Sequence, residues 1–161
     1  MLDTFFIFGA KYLYIAIIGI ALIYFAGQTK AAKREIVVLG IIALPVMYAA
    51  AKIISLFYYS TLPFVEGNFT PLIPHEADNG FPSDHTLLGA GISSVIYFFN
   101  KKVSAALWAL TLIVGVSRVY AGVHHPIDIA GSIVVAAVST VIIYGLISAR
   151  KRGKVGENKG A

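Results

Sequence analysis

The sequence contains no cysteine. A chain without cysteine has no disulfide framework and no thiolate metal site, and it cannot use a cysteine nucleophile. Charged residues are also scarce, since they make up 13% of the 161 residues, whereas soluble domains average about 25%. The composition therefore disfavours a water-soluble protein.

Hydrophobic residues make up 58% of the chain. One compact domain of this length cannot bury so much apolar surface, so we expect the lipid bilayer to act as its solvent. The predicted fold class is all-α, an integral membrane bundle of about five transmembrane helices formed by residues 1–149 as a single domain. Residues 150–161 are predicted to be a basic, disordered cytoplasmic tail. The five apolar stretches behind this prediction cover residues 13–26, 36–59, 86–99, 103–116 and 127–148.

The basic residues lie in clusters between the apolar stretches. A net charge of +5 at pH 7 would be compatible with nucleic-acid binding, but such clusters are typical of membrane topology signals, so no nucleic-acid partner is expected. Ten of the 13 Lys and Arg residues lie within 30–34, 101–102 and 150–159, while the connections 60–82 and 121–126 contain none. The positive-inside rule then predicts a multi-pass plasma-membrane protein with its N-terminus outside and its C-terminus in the cytoplasm.

The residues able to do chemistry collect on the predicted outer side. All four histidines lie between positions 75 and 125, and two basic residues, Lys52 and Arg118, lie within or at the end of apolar stretches. Ionisable groups are costly in a bilayer, so their usual interpretation is functional. We therefore expect an active site at the non-cytoplasmic face.

The first candidate motif is Pro82-Ser83-Asp84-His85, directly before the third apolar stretch. Ser83 is a favourable N-cap residue, and the free N–H groups of a helix N-terminus bind anions. The alternative interpretation is an ordinary helix cap with an exposed histidine beside it.

The second candidate motif is Ser117-Arg118-x5-His124-x3-Asp128. A guanidinium such as that of Arg118 can bind two phosphate oxygens in parallel. Pro126 suits the first position of the last helix, which places Asp128 in its first turn, close enough to orient the imidazole of His124 for nucleophilic attack. Alternatively, Asp128 interacts only with the helix dipole and Arg118 is a snorkelling interface residue.

The other two outer histidines are not expected to be catalytic. The spacing to Arg118 and Asp128 selects His124 rather than His125, and adjacent histidines rarely converge on one metal ion. His75 is interpreted as a solvated loop histidine, with a place near the mouth of the site as the alternative.

These motifs resemble those of the type 2 phosphatidic acid phosphatases. The second motif is similar to the third signature of that family, and the first is similar to its second signature, which usually reads Pro-Ser-Gly-His. Residues 72–78 with 81–86 look especially like the bacitracin-resistance type of undecaprenyl diphosphatase. The resemblance implies a membrane lipid phosphatase that acts on a lipid diphosphate or monophosphate, with undecaprenyl diphosphate as the favoured substrate.

The resemblance also implies a role for each residue. His124 would be the nucleophile that forms a phosphohistidine, Asp128 would orient it, and His85 would protonate the leaving oxygen. The phosphate would be bound by Ser83, the backbone around Asp84, Arg118 and Lys52. No metal or other cofactor is implied, because cations and helix-end amides supply the charge stabilisation.

The first signature of the family, Lys-x6-Arg-Pro, is incomplete here. If Lys52 is the lysine, Tyr59 stands where the arginine belongs; if Leu62-Pro63 is aligned with Arg-Pro, Ser55 replaces the lysine. At least one phosphate-binding cation is therefore missing. This gap motivates an alternative function, a non-catalytic protein that binds or handles lipid phosphates.

Overall fold

The computed structural model describes the backbone of residues 1–157 and the side chains of residues 1–152. Within that part all regular secondary structure is helical, without strands. The helices are α1 (Leu2–Ala26), α2 (Lys30–Ser55), α3 (Pro63–Glu66), α4 (Asp84–Tyr97), α5 (Lys101–Tyr120) and α6 (Pro126–Glu157). The predicted all-α fold class is confirmed.

Four helices are long and apolar enough to cross a membrane: α1, α2, α5 and residues 126–152 of α6. The third apolar stretch forms α4, whose 14 residues span only about 21 Å at 1.5 Å per residue. Large apolar side chains such as Leu22, Ile41 and Val141 are exposed on the outside of the bundle, where lipid tails would contact them. The protein is therefore a multi-pass membrane protein.

The helix starts follow local sequence signals. The Thr29 hydroxyl accepts a hydrogen bond from the Ala32 N–H at the start of α2, and the Asn100 side chain accepts two at the start of α5. Helix α6 begins at Pro126, as predicted, and α4 begins directly after Ser83. At its other end α6 continues to Glu157, so residues 150–157 extend the helix into the segment that we predicted as a tail, and residues 158–161 lie outside the described residues.

Helix α4 lies at the centre of the bundle, in contact with α1, α2, α5 and α6. Nine of its 14 residues are buried, and several of these are glycine, alanine or serine, which let neighbouring helices approach closely. The Ser104 hydroxyl donates to the Ser93 carbonyl at 2.8 Å and so ties α5 to α4. The N-terminus of α4 is held at one end of the bundle, together with the C-terminus of α5 and the N-terminus of α6.

Glycine is required at position 131 in α6. A methyl group there would overlap the ring of Phe81, which is 8% exposed and lies two residues before Ser83. We expect Gly131→Ala to lower the free energy of unfolding by about 1–3 kcal/mol through overpacking. Thermal unfolding in detergent measures this. The matched control is Gly145→Ala in the same helix, where nothing lies within 4 Å of the added methyl. A helical alanine there should leave stability equal or slightly higher, and equal behaviour of the two variants would contradict the overlap at Gly131.

Candidate active site

A polar cavity of about 450 Å³ opens at the end of the bundle where α4 begins. Its wall combines residues of α1, α2, α4, α5 and the two connections 56–83 and 121–125. The lining residues that can be charged are Lys11, Lys52, His75, Glu76, Asp78, Asp84, His85, Arg118 and His124. Of the predicted site residues, five line this cavity directly, and Ser83 and Asp128 are fully buried next to it.

His124 lies in the short connection between α5 and α6 and is only 3% exposed. Its Nδ1 is 3.5 Å from Oδ2 of Asp128, which is itself fully buried. The same Oδ2 atom accepts a hydrogen bond from the backbone N–H of His125 at 2.8 Å, and this bond fixes the carboxylate. The Nε2 atom of His124 has no hydrogen-bond partner within the described residues. The imidazole therefore has one nitrogen beside a carboxylate and the other unoccupied.

Burial lowers the pKa of His124 below its ordinary value of 6.5, and the charge of Arg118 acts in the same direction. The carboxylate of Asp128 partly opposes these effects. The imidazole is therefore neutral at pH 7, which is the form that can act as a nucleophile.

Arg118, in the last turn of α5, is 4% exposed. Its Nη1 donates to the Ala10 carbonyl of α1 at 3.3 Å, while its Nε has no partner within the described part of the chain. A buried guanidinium with an unsatisfied donor is costly unless a ligand satisfies it. The geometry thus leaves Arg118 ready to bind an anion in the cavity.

The N-terminus of α4 completes the cavity floor. The Ser83 hydroxyl accepts a hydrogen bond from Thr86 at 3.2 Å, and the Ser83 carbonyl accepts one from Ser132 of α6 at 3.1 Å. Ser83 occupies the N-cap position without a side-chain cap bond, so its own O–H remains available to donate. The first N–H groups of a helix lack intrahelical partners. Backbone amides and a serine hydroxyl are therefore available to an anion, beside the half-buried ring of His85.

Lys52 and Asp84 interact with each other at the rim of the cavity. The Nζ of Lys52 is 3.6 Å from Oδ1 of Asp84, and both side chains are about half exposed or more. Asp84, which we predicted to help bind phosphate through its backbone, thus also positions the lysine. The lysine reaches the site even though the first signature is incomplete.

The structure distinguishes the two positions at which the arginine of the first signature could be missing. Tyr59 is 65% exposed and does not line the cavity. Leu62 is fully buried, and its side chain lies against Gly80, at which an added Cβ would be 3.2 Å from Oδ2 of Asp128. Leu62 does not line the cavity either, but it packs against position 80, which lies beside the buried carboxylate of Asp128, so the structure favours the Leu62-Pro63 alignment.

The two remaining histidines differ from each other. Nε2 of His125 is 3.4 Å from Glu66 of α3, and the ring does not line the cavity. His75, which we interpreted as a solvated loop histidine, instead packs edge-to-face on His124 with ring centroids 5.4 Å apart. His75 therefore lies at the mouth of the site, which was the alternative interpretation, because residues 71–75 fold back over the connection that carries His124.

Two further residues of the site have no signal in the sequence motifs. Lys11, in the first half of α1, lines the cavity. Asn79 uses its whole amide group: Oδ1 accepts from the N–H groups of Ser60 and Phe81, and Nδ2 donates to the carbonyls of Ser55 and Tyr58. Asn79 thereby fixes the connection that leads into Ser83. Its neighbour at position 80 has to be small, since a side chain would meet Leu62.

Among the described residues, no group of three or more His, Asp or Glu side chains is arranged to hold a metal ion. The deep part of the cavity suits an anion, because it joins one buried guanidinium, one helix N-terminus and an unoccupied imidazole nitrogen. Two lysines also line the cavity, where they share the wall with the carboxylates of Glu76, Asp78 and Asp84.

Comparison with known proteins agrees with this arrangement. A family model described as PAP2 superfamily matches residues 36–152. Undecaprenyl-diphosphatase BcrC of Bacillus subtilis (strain 168) is 38% identical over 144 residues, which are 86% of this chain and 71% of that protein. Phosphatidylglycerophosphatase B of the same organism is 30% identical over 99 residues, 55% of this chain and 48% of that protein.

A solved structure has the same fold. The crystal structure of Aquifex aeolicus LpxE superposes with a TM-score of 0.72 at 24% identity, covering 89% of this chain and 86% of that one. The family predicted from the two motifs is confirmed, and so is the expected resemblance to undecaprenyl diphosphatases.

Proposed function

Because the chain belongs to the PAP2 superfamily, we propose that it is a membrane lipid phosphatase that hydrolyses undecaprenyl diphosphate through a phosphohistidine intermediate. One observation carries the proposal: the cavity joins an unoccupied Nε2 of His124 to an unsatisfied guanidinium and a helix N-terminus. The preference for this lipid is supported by the 38% identity to a protein named for the same reaction.

The reaction proceeds in two steps. Nε2 of His124 attacks the terminal phosphorus, the bond to the bridging oxygen breaks, and His85 gives a proton to the departing lipid monophosphate. Water then attacks the phosphorus of the phosphohistidine and gives a proton to His85, the bond between phosphorus and Nε2 of His124 breaks, and inorganic phosphate leaves. Asp128 holds the imidazole in position and stabilises the positive charge that develops on it.

The phosphoryl oxygens are bound by groups that are already in place. Arg118 supplies two parallel donors, Ser83 and the first amides of α4 supply further ones, and Lys52 adds positive charge at the rim. Preorganised donors of this kind need no rearrangement when charge builds up in the transition state. The incomplete first signature therefore does not remove the phosphate cradle.

We place the active site on the non-cytoplasmic side of the plasma membrane. The basic clusters at 30–34 and 101–102 begin α2 and α5, whose other ends lie at the cavity. Lys151 of α6 pairs with Glu35 of α2 at 2.7 Å, so the C-terminal part of α6 is also at the basic end. The positive-inside rule puts that end in the cytoplasm.

The test is phosphate release by the purified protein in detergent, in the presence of a metal chelator. Undecaprenyl diphosphate, phosphatidylglycerol phosphate and phosphatidic acid are compared by kcat/KM. We expect the diphosphate to be the preferred substrate without added metal. Tight binding of these lipids with no release of phosphate from any of them would instead support the non-catalytic alternative.

The lowered pKa of His124 predicts the acid limb of the pH profile. The nucleophile must be neutral, and a group whose pKa lies below 6.5 stays neutral to a lower pH than an ordinary histidine. We expect the acid limb of kcat/KM, which reports the free enzyme, to have its midpoint below pH 6.5. In Asp128→Asn the carboxylate that raises the pKa of His124 is gone, so the midpoint of the acid limb of the residual activity should shift to a still lower pH. A midpoint above 6.5 would contradict a buried neutral nucleophile.

A further inference from the structure

Helix α1 forms one wall of the proposed active site, although it lies outside the residues matched by the family model. The Ala10 carbonyl accepts a hydrogen bond from Arg118, and a side chain at Gly9 would collide with Ser117, so α1 packs tightly on α5 at this level. One turn further along, the Tyr14 ring packs edge-to-face on His85 with centroids 4.7 Å apart. Lys11 directly follows Ala10, between these two contacts.

Lys11 is the only charged residue between Asp3 and Lys30. Its side chain is exposed and lines the cavity. A lone cation within an apolar span is costly and usually serves a function. Lys11 lines the same cavity as Arg118 and His85, so this cavity is the polar space into which its ammonium group can extend.

The two lysines of the cavity wall differ in their partners. Lys52 is 3.6 Å from the carboxylate of Asp84. Lys11 forms no ion pair with any residue that the structure describes, and its Nζ lies 5.8 Å from the centre of the Tyr12 ring. An exposed contact of that kind is weak. Lys11 is therefore the lysine whose charge is available to a ligand without breaking a salt bridge.

Which of the two phosphates Lys11 can contact depends on where the reacting phosphate lies. Attack by His124 requires the terminal phosphoryl group to lie deep in the cavity, against Arg118 and Ser83, which are at most 4% exposed. The second phosphate of a diphosphate, which stays on the lipid, then lies nearer the opening. Lys11 lines the same cavity and is exposed, in contrast to the buried Arg118 and Ser83, so it is a cation of the wall nearer the opening. A monophosphate has no group there, because its single phosphate occupies the deep position.

We propose that Lys11 binds the lipid-proximal phosphate and makes the site selective for diphosphates over monophosphates. This inference rests on the proposed function, and it assigns to α1 a specificity-determining cation. The lipid-proximal phosphate gains negative charge as the bridging oxygen departs, so the contact strengthens in the transition state and acts on kcat as well as on KM. Lys11 thus supplies, from α1, a positive charge in place of the cation that is missing from the first signature.

The experiment compares Lys11→Gln with the unmodified protein in detergent micelles. Turnover is measured with geranylgeranyl diphosphate, and pyrophosphate and orthophosphate are tested as competitive inhibitors. We expect kcat/KM to fall about 10- to 100-fold, as for a lost charge-assisted contact. Inhibition by pyrophosphate should weaken about 10-fold or more, while inhibition by orthophosphate changes less than about twofold. Lys11→Arg should restore both values to within a few-fold, and Lys30→Gln, at the basic end, should change neither.

Equal weakening of both inhibitors would overturn the proposal, because it would mean that Lys11 only attracts anions in general. Unchanged turnover and inhibition in Lys11→Gln would overturn it as well. If the glutamine variant unfolds at a lower temperature, Lys11→Met, which keeps the apolar part of the side chain, takes its place. Failure of the proposed function gives a different result, because the unmodified protein would then release no phosphate. In that case the binding of pyrophosphate and orthophosphate to the unmodified protein and to Lys11→Gln, measured by calorimetry, would still decide the role of Lys11.

Discussion

Replacing His124 with alanine is expected to lower phosphate release from undecaprenyl diphosphate by at least about a thousandfold. The reason is that the first step forms a covalent bond to its Nε2, and alanine leaves no nucleophilic atom at that position. His124 lies in the connection between α5 and α6 and belongs to none of the buried hydrophobic clusters of the bundle, so the variant should fold. Single-turnover release of labelled phosphate measures the effect.

The matched control is the neighbouring histidine. His125→Ala removes a ring that pairs with Glu66 outside the cavity, and its backbone N–H, which holds Asp128, remains. Its activity should stay within about threefold of the unmodified protein, because exposed ion pairs contribute little. Loss of activity in His125→Ala with retention in His124→Ala would reverse the assignment of the nucleophile.

The intermediate can be detected directly. A substrate labelled in the terminal phosphate should leave label on the protein after a rapid alkaline quench, and this label should be removed by acid, as expected of a phosphoramidate bond. The label should be absent from His124→Ala. In His85→Ala the water-dependent second step also loses its base, so label that does form should persist longer. Turnover without labelled protein in any of these forms would indicate direct attack by water.

The sequence predicted those parts of the site that depend on local spacing. His124 and Asp128 are four residues apart across the start of α6, where Pro126 fixes the first turn, so their proximity follows from the helix geometry alone. Ser83 was likewise assigned to the helix start from its residue type. The side of the membrane on which these residues lie stays a prediction from the basic clusters.

The rest of the site depends on contacts between distant parts of the chain. Lys11 lies outside both motifs, just before the first apolar stretch, and its proposed role depends on the packing of α1 on α5 through Gly9 and Ala10. Asn79 has no motif, since its four bonds go to residues selected by the folded path of the connection. The choice between Tyr59 and Leu62 depended on which residue is buried in the folded chain, and an alignment to an incomplete signature gives no information on burial.

Arg118→Lys tests whether the guanidinium, rather than its charge, holds the phosphate. A lysine keeps the positive charge but is a single point charge, so it cannot donate two parallel hydrogen bonds to one phosphoryl group and also hold the Ala10 carbonyl. We expect kcat/KM to fall about 100-fold, with most of the loss in kcat, because the bidentate contact strengthens as charge develops in the transition state. The measurement is steady-state phosphate release from undecaprenyl diphosphate.

Two comparisons make the result specific to the cavity. Arg34→Lys, an exposed arginine at the opposite end of the bundle, should leave activity unchanged. The thermal unfolding of Arg118→Lys should remain close to that of the unmodified protein, because the substituted side chain can still reach the Ala10 carbonyl or the cavity water. Activity of Arg118→Lys within about threefold of the unmodified value would mean that the charge alone suffices. In that case the amides of α4 and the Ser83 hydroxyl, rather than the arginine, would set the orientation of the phosphoryl group for attack by His124.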